Sequence, residues 1–250
     1  FVHAALPAFG LIVVGDELLS GRRSDRHIPK MIELLTQRGL ALSYVHMLGD
    51  DRPRLVRLLQ QVLASGDVVM CCGGIGATPD DHTRQAAAAA AGVELVMHPV
   101  ARNLIEQRMQ EQAQQKGQAF DPLHPDNVQR LQMAMLPAHA HIIPNPYNRI
   151  AGFSVGHVHF FPGFPVMAHP MIAWVLDHFY ARWHNMRDWS EQALIVKNAS
   201  EASLTPLMES LEARWPAIRI FSLPSVDHPV HGAHIELGVK GPAQMARDAF

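Results

Sequence analysis

Cysteine is nearly absent from the 250 residues, with only Cys71 and Cys72, side by side. Neighbours on what reads as a buried strand cannot staple distant segments together, so a disulfide framework is excluded and a reducing, cytoplasmic setting is expected. An excess of either charge is missing too: Lys+Arg number 21 against Asp+Glu 23, a formal net charge of -2. Without a basic field nothing would hold a nucleic-acid backbone, and nucleic acid is set aside as a partner. No apolar run approaches the roughly 20 residues of a membrane span, and the first residues lack the charged and apolar regions of a signal peptide. A soluble chain with no membrane partner is expected.

What is present is a repeating pattern. Phe9 to Val14 is a continuous apolar run closed by Gly15, as a strand buried on both faces requires. Asp25 then offers an N-cap, Ile28, Met31, Ile32 and Leu35 follow at helical spacing, and Gly39 ends the segment. The unit recurs with Leu42 to Leu48 as strand and an apolar stripe through Leu55, Leu59 and Val62, and again with Val68 to Cys72 and the alanine run Ala86 to Ala91. Three strand-to-helix units in succession predict a parallel sheet with right-handed crossovers. Beyond them the pattern predicts an exposed helix from about Ala101 to Lys116, irregular connections around Pro122 to Asn127 and Pro144 to Asn148, a hairpin of Phe153 to Val155 with Val158 to Phe161, and a helix from Val166 to about Tyr180. After a polar junction at His184 to Trp189 the order becomes strand, helix, strand, strand, helix. The expected organisation is therefore an α/β domain over residues 1–186 and a small α+β module over 190–250. The last helix stops at Phe250 with little length, as a chain that continues further would.

Chemistry gathers where the strands end. Gly15-Asp16-Glu17, Gly49-Asp50-Asp51 and the loop Gly73-Gly74-Ile75-Gly76-Ala77-Thr78-Pro79-Asp80-Asp81 would share one edge of a parallel sheet, where open α/β folds bind ligands. Glycines let backbone N–H groups approach an anion. The loop lacks the Lys of a Walker motif and the spaced glycines of a dinucleotide fingerprint. Thr78-Pro79-Asp80-Asp81 also reads as an ordinary helix start, with Thr78 as N-cap and Pro79 in the first position, and Asp16 and Asp50 also suit plain turns. A helix N-terminus favours an anion by about 0.3–1 kcal/mol, whereas a carboxylate about 4 Å from a phosphate repels it by roughly 1–4 kcal/mol. The expected remedy is a divalent cation, magnesium or similar, on Asp50, Asp80 and Asp81.

These stretches, Gly15 to Gly21, Gly49 to Asp51, Gly73 to Thr83 and Pro162-Gly163-Phe164-Pro165, resemble the molybdopterin-binding fold family of molybdenum-cofactor biosynthesis proteins, with the nearest likeness to the N-terminal part of the competence/damage-inducible (CinA) group. The resemblance implies a three-layer α/β/α sandwich with a mostly parallel sheet, and a C-terminal module similar to a small KH-like domain. It implies molybdopterin or a nucleotide diphosphate as ligand, held by Asp16, Glu17, Ser20, Gly21, Gly73, Gly74, Gly76, Thr78, Pro162 and Gly163. It implies catalytic roles for Asp50 and Asp81 in a metal-dependent pyrophosphatase acting on ADP-ribose-like compounds, or alternatively adenylyl transfer to molybdopterin, or binding without turnover. A homo-oligomer is expected. The chain departs from the family pattern at His27, where the family has Asn, at Val166-Met167, where it has Ser-Glu, and at Asn148 to Gly152, where it has GTAPG.

Other residues invite weaker readings. His228, His231 and His234 are near one another in sequence but are read as surface histidines rather than metal ligands. His157 and His159 are read as polar positions of a half-exposed hairpin. Arg149 reads as a solvated arginine, and Met171, Val175 and Phe179 as core or subunit interface.

Overall fold

A computed structural model describes residues 6–186 and 188–250 of the chain. Residues 1–5, in the expected first domain, and residue 187, in the expected junction, lie outside the described residues. The chain divides into two compact units, residues 1–184 and 185–250.

In the first unit, β1 (Phe9–Val14), β2 (Leu42–Leu48) and β3 (Val68–Cys72) alternate with α2 (His27–Thr36), α3 (Arg52–Ser65) and α4 (Thr83–Ala91); a one-turn helix α1 (Asp16–Leu19) follows β1 directly. Two short strands, β4 (Leu95–Met97) and β5 (Met135–Pro137), flank α5 (Pro99–Gln115) and α6 (Pro125–Leu131), and a 3-10 turn, Gln132–Ala134, joins α6 to β5. The unit closes with β6 (His141–Ile143), β7 (Gly152–Val155), β8 (Val158–Phe161) and α7 (Pro165–Phe179). The main sheet has the order β2-β1-β3-β8-β7-β6, parallel from β2 through β8 and antiparallel at β7 and β6.

Strand side chains alternate between faces, and the core follows that rule. Phe9, Leu11 and Val13 of β1, with Met70 and Cys72 of β3, pack under α2 and α7; Ile12, Val14, Val69 and Cys71 pack under α3, α4 and α5. Both cysteines are free and wholly buried, one in each layer, and burial pushes both thiols up, which keeps them protonated and inert. The result is three layers, helix on sheet on helix, and it places the carboxyl ends of β1, β2, β3 and β8 along one edge. Among the described residues, no helix is long and apolar enough to cross a membrane.

Three local expectations are corrected. Thr78 does not cap α4: the helix starts at Thr83, and residues 78–81 form a turn of their own, because the Asp81 carboxylate accepts from the Thr78 amide at 2.9 Å and from its hydroxyl. The connection expected at Pro122 to Asn127 contains the start of α6, with Pro125 at its first position and His124 accepting from the Asp126 amide. His159 is not half-exposed but buried at 2% exposure, because β8 pairs with β3 on one side and β7 on the other. Its polarity is satisfied by Ser154 Oγ at 2.7 Å and the Tyr180 hydroxyl at 2.5 Å.

The second unit is an antiparallel sheet of order β10-β11-β9, made of β9 (Trp189–Val196), β10 (Arg219–His228) and β11 (Gly232–Pro242), with helices α8 (Glu201–Arg214) and α9 (Ala243–Ala249). Ile218, Val239 and Ala246 form its small buried core. Ser200 caps α8 reciprocally with Ser203, a capping box that sets the start of that helix.

Candidate functional site

Each strand on the edge ends where glycine removes a side chain that neighbouring chain would meet. Gly73, at φ +109°, leaves no room for a Cβ against the Val14 carbonyl, and a Cβ on Gly163 would stand 3.4 Å from the Gly73 Cα. The glycine loop, the end of β1 and the turn after β8 therefore pack backbone against backbone. Above this junction lie two cavities. The larger, about 570 Å³, is walled by the loop from Gly74 to Asp81, by Pro162 and Gly163, and by Met133, Asn148, Ile150 and Met167. The smaller, about 350 Å³, lies between α1 and α2. Glu17, Arg23 and Gly163 line both.

The loop is held from beneath. Arg84, 4% exposed, donates from Nη2 to the Gly76 carbonyl at 2.6 Å and from Nη1 to the carbonyl of Gln132, while Thr83 Oγ1 donates to the Gly73 carbonyl at 2.9 Å. Gln129 of α6 adds a bond to the Ala77 carbonyl at 2.5 Å. Burial pushes the Arg84 guanidinium below its ordinary value, opposed by the nearby Asp81 charge. Across the cavity, Asn145 binds Asn148 Oδ1 at 2.8 Å and the Ile150 carbonyl at 2.9 Å, which shapes the wall where the family pattern is broken.

The sequence-predicted residues divide by position. Gly74, Gly76, Thr78, Asp80, Asp81, Glu17, Pro162 and Gly163 line the larger cavity. Gly73 supports it from behind. Asp16 and Asp50 lie outside both linings and tie two turns together: each backbone amide donates to the other's carboxylate at 3.1 Å. Asp51 caps α3 through the Arg54 amide. Ser20 ends α1, and Gly21 follows at φ +71°; neither lines a cavity.

The Asp50 carboxyl is raised above its ordinary value, chiefly by burial, with the bond from the Asp16 amide opposing and the charges of Asp16, Glu17 and Asp80 reinforcing. His27, which lines the smaller cavity, bonds the Gly163 carbonyl through Nε2 at 3.1 Å, and its Nδ1 is buried without a partner. The chain thus uses a histidine to hold the turn at Gly163.

The acids do not fit a resident metal as they stand. Asp50 is bound to a backbone amide and Asp81 to Thr78, and among the described residues no group of three or more His, Cys, Asp or Glu side chains is gathered to hold an ion. That statement includes His228, His231 and His234 of the second unit, whose ring centroids are 5.0–5.5 Å apart. There the His228 Nδ1 accepts from the amides of Val230 and His231.

Sequence reasoning missed Arg23, Arg84, Met133 and Asn145. Arg23 alone carried a usable signal, as a cation in a glycine-bounded loop on an otherwise acidic edge.

A mostly parallel sheet between two helix layers, with a glycine loop and an acid-lined cleft at its strand ends, defines the class as an α/β ligand-binding domain. The chain belongs to the family described as Probable molybdopterin binding domain, which matches residues 10–181. It is similar to a CinA-like protein of Anaeromyxobacter dehalogenans (strain 2CP-C), 28% identical over 248 residues, covering 92% of this chain and 58% of that protein. A protein of Pyrobaculum calidifontis is 26% identical over 253 residues, covering 98% of this chain and 93% of its own length. Among solved structures, the protein CinA of Thermoplasma acidophilum, described as of unknown function, is 26% identical with a TM-score of 0.57, covering 68% of this chain and 97% of that one. The chain thus spans little more than half of the CinA-like relative it matches.

Proposed function

We propose that the first unit binds a small phosphate-bearing ligand, molybdopterin or a nucleotide diphosphate, in the cleft at the carboxyl ends of β1, β3 and β8. The observation that carries this reading is the 570 Å³ cavity walled by the glycine loop and the Pro162–Gly163 turn. Loop amides freed by glycine suit an anion, and Met133, Ile150 and Met167 suit the face of a planar ring. The free, buried cysteines agree with a reducing, cytoplasmic setting.

A second reading, hydrolysis of a diphosphate bond, is favoured by Asp50. A carboxyl raised above its ordinary value is better matched to proton transfer than an ordinary one. Water would attack one phosphorus, its proton passing to a carboxylate, and the diphosphate would separate into two phosphate monoesters. Asp81, which lines the cavity, would orient that water. A divalent cation on Asp50, Asp80 and Asp81 would require those side chains to give up their present bonds, so it belongs with this second reading alone.

Both are tested by incubating ADP-ribose, FAD and ATP with magnesium, cobalt or manganese, for wild type and Asp81→Asn, while measuring ADP-ribose binding by calorimetry. Metal-dependent monoester products that disappear in Asp81→Asn establish hydrolysis. Binding without products leaves the binding reading alone, and neither binding nor turnover removes both.

A further inference from the structure

The acidic edge poses an electrostatic problem. Glu17, Asp80 and Asp81 line the larger cavity, and a bound phosphate would be repelled by each. Sequence reasoning answers with a metal ion on Asp50, Asp80 and Asp81, but among the described residues no group of three or more acids or histidines is gathered to hold one.

A cation is already present. Arg23 is the single basic residue among those lining the larger cavity, and it also lines the smaller. Arg84 is committed to loop carbonyls, Arg54 to Asp51 and Arg149 to Glu111, and Arg26 lines only the smaller cavity. Arg23 makes one backbone bond, from its amide to the Glu17 carbonyl at 3.0 Å, and its guanidinium has no hydrogen bond or ion pair among the described residues. An uncommitted guanidinium offers five N–H donors in a planar fork that matches two phosphate oxygens at once.

We propose that Arg23 holds the ligand's phosphate at the junction of the two cavities, in the role expected of a resident metal ion. The assignment rests on the binding reading above and deepens it. At contact distance the attraction to Arg23 offsets the repulsion of one carboxylate at the same distance. The Asp81 carboxylate, turned toward Thr78, and the Asp50 carboxylate, turned toward the Asp16 amide, already present part of their charge to backbone donors.

The position also limits the ligand. A phosphate beside Arg23 has room on both sides, about 570 Å³ on one and 350 Å³ on the other. The fitting class is therefore an internal phosphate, a phosphodiester or diphosphate carrying a group at each end. A monophosphate would fill one side only.

Calorimetric titration of the full chain with ADP-ribose, in buffer containing EDTA, tests this. Wild type binds, Arg23→Gln binds tenfold or more weakly, Arg23→Lys falls between, and adenosine, which lacks phosphate, binds wild type and Arg23→Gln alike. AMP binds wild type more weakly than ADP-ribose. Because the Arg23 side chain is exposed and has no hydrogen bond or ion pair among the described residues, melting temperatures of the variants should match wild type. Equal ADP-ribose affinity for wild type and Arg23→Gln, or wild-type binding that vanishes in EDTA and returns with magnesium, overturns the Arg23 assignment while the binding reading stands. AMP binding as tightly as ADP-ribose overturns the internal phosphate. No ADP-ribose binding under either condition overturns the binding reading and the assignment with it.

Discussion

His159 shows how a single residue ties pH to stability. It lies buried between Ser154 and Tyr180, and desolvation, aided by His157, lowers its pKa to about 3. His27 and His169, with ring centroids 5.3 Å apart, are also lowered, first by burial. In the unfolded chain each titrates near its ordinary value of about 6.5. Below that pH the unfolded state binds protons that the native state refuses, so native stability is full above about 6.5 and falls as pH drops toward 3. Between pH 7 and pH 5 His159 alone should cost about 2 kcal/mol. Urea denaturation of His159→Gln should therefore show lower stability at pH 7, from the lost hydrogen bonds, and a loss on acidification smaller than wild type by about that amount. At this scale the sequence was legible where chemistry is local: glycine and acid at strand ends were readable. The burial of His159 and the bonds of Arg84 depend on segments about 20 to 50 residues away and leave no local trace.

The elements that build the site are strands ending in glycine and a helix stapled to the loop before it. Gly73→Ala should strain the loop, because a Cβ would meet the Val14 carbonyl at a φ that L residues rarely adopt. A loss of about 1–3 kcal/mol is expected, with ADP-ribose binding weakened too. Arg84→Met should cost about 1.5–3 kcal/mol and loosen the loop, since the Gly76 and Gln132 carbonyls would lose a charged donor. Chemical denaturation with calorimetry checks both, and a stable Arg84→Met with wild-type affinity would show that α4 does not support the loop. The first three strands and helices were readable because apolar runs and stripes report burial directly. The strands β4, β5 and β6, three residues each, were not, since so short a run carries no period. The hairpin of β7 and β8 was readable, whereas the parallel pairing of β8 with β3 is a tertiary fact.

At the scale of the whole molecule, everything assigned to the ligand lies within residues 1–184, and the second unit has its own sheet and core. Residues 6–184 expressed alone should fold and bind ADP-ribose with the affinity of the full chain; a loss of binding would give the second unit a part in the site. Composition spoke against some classes of partner, and the strand-helix order pointed to the architecture before any contact was known. The ligand itself was not legible, because the two cavities proposed to receive it have walls from six separated stretches of chain. The most direct measurement is therefore a crystal structure of the full chain grown with ADP-ribose. Phosphate density between the Gly74–Thr78 loop, Gly163 and the Arg23 guanidinium is the predicted result. Ligand density at any other surface, with this cleft filled by solvent, would contradict the account.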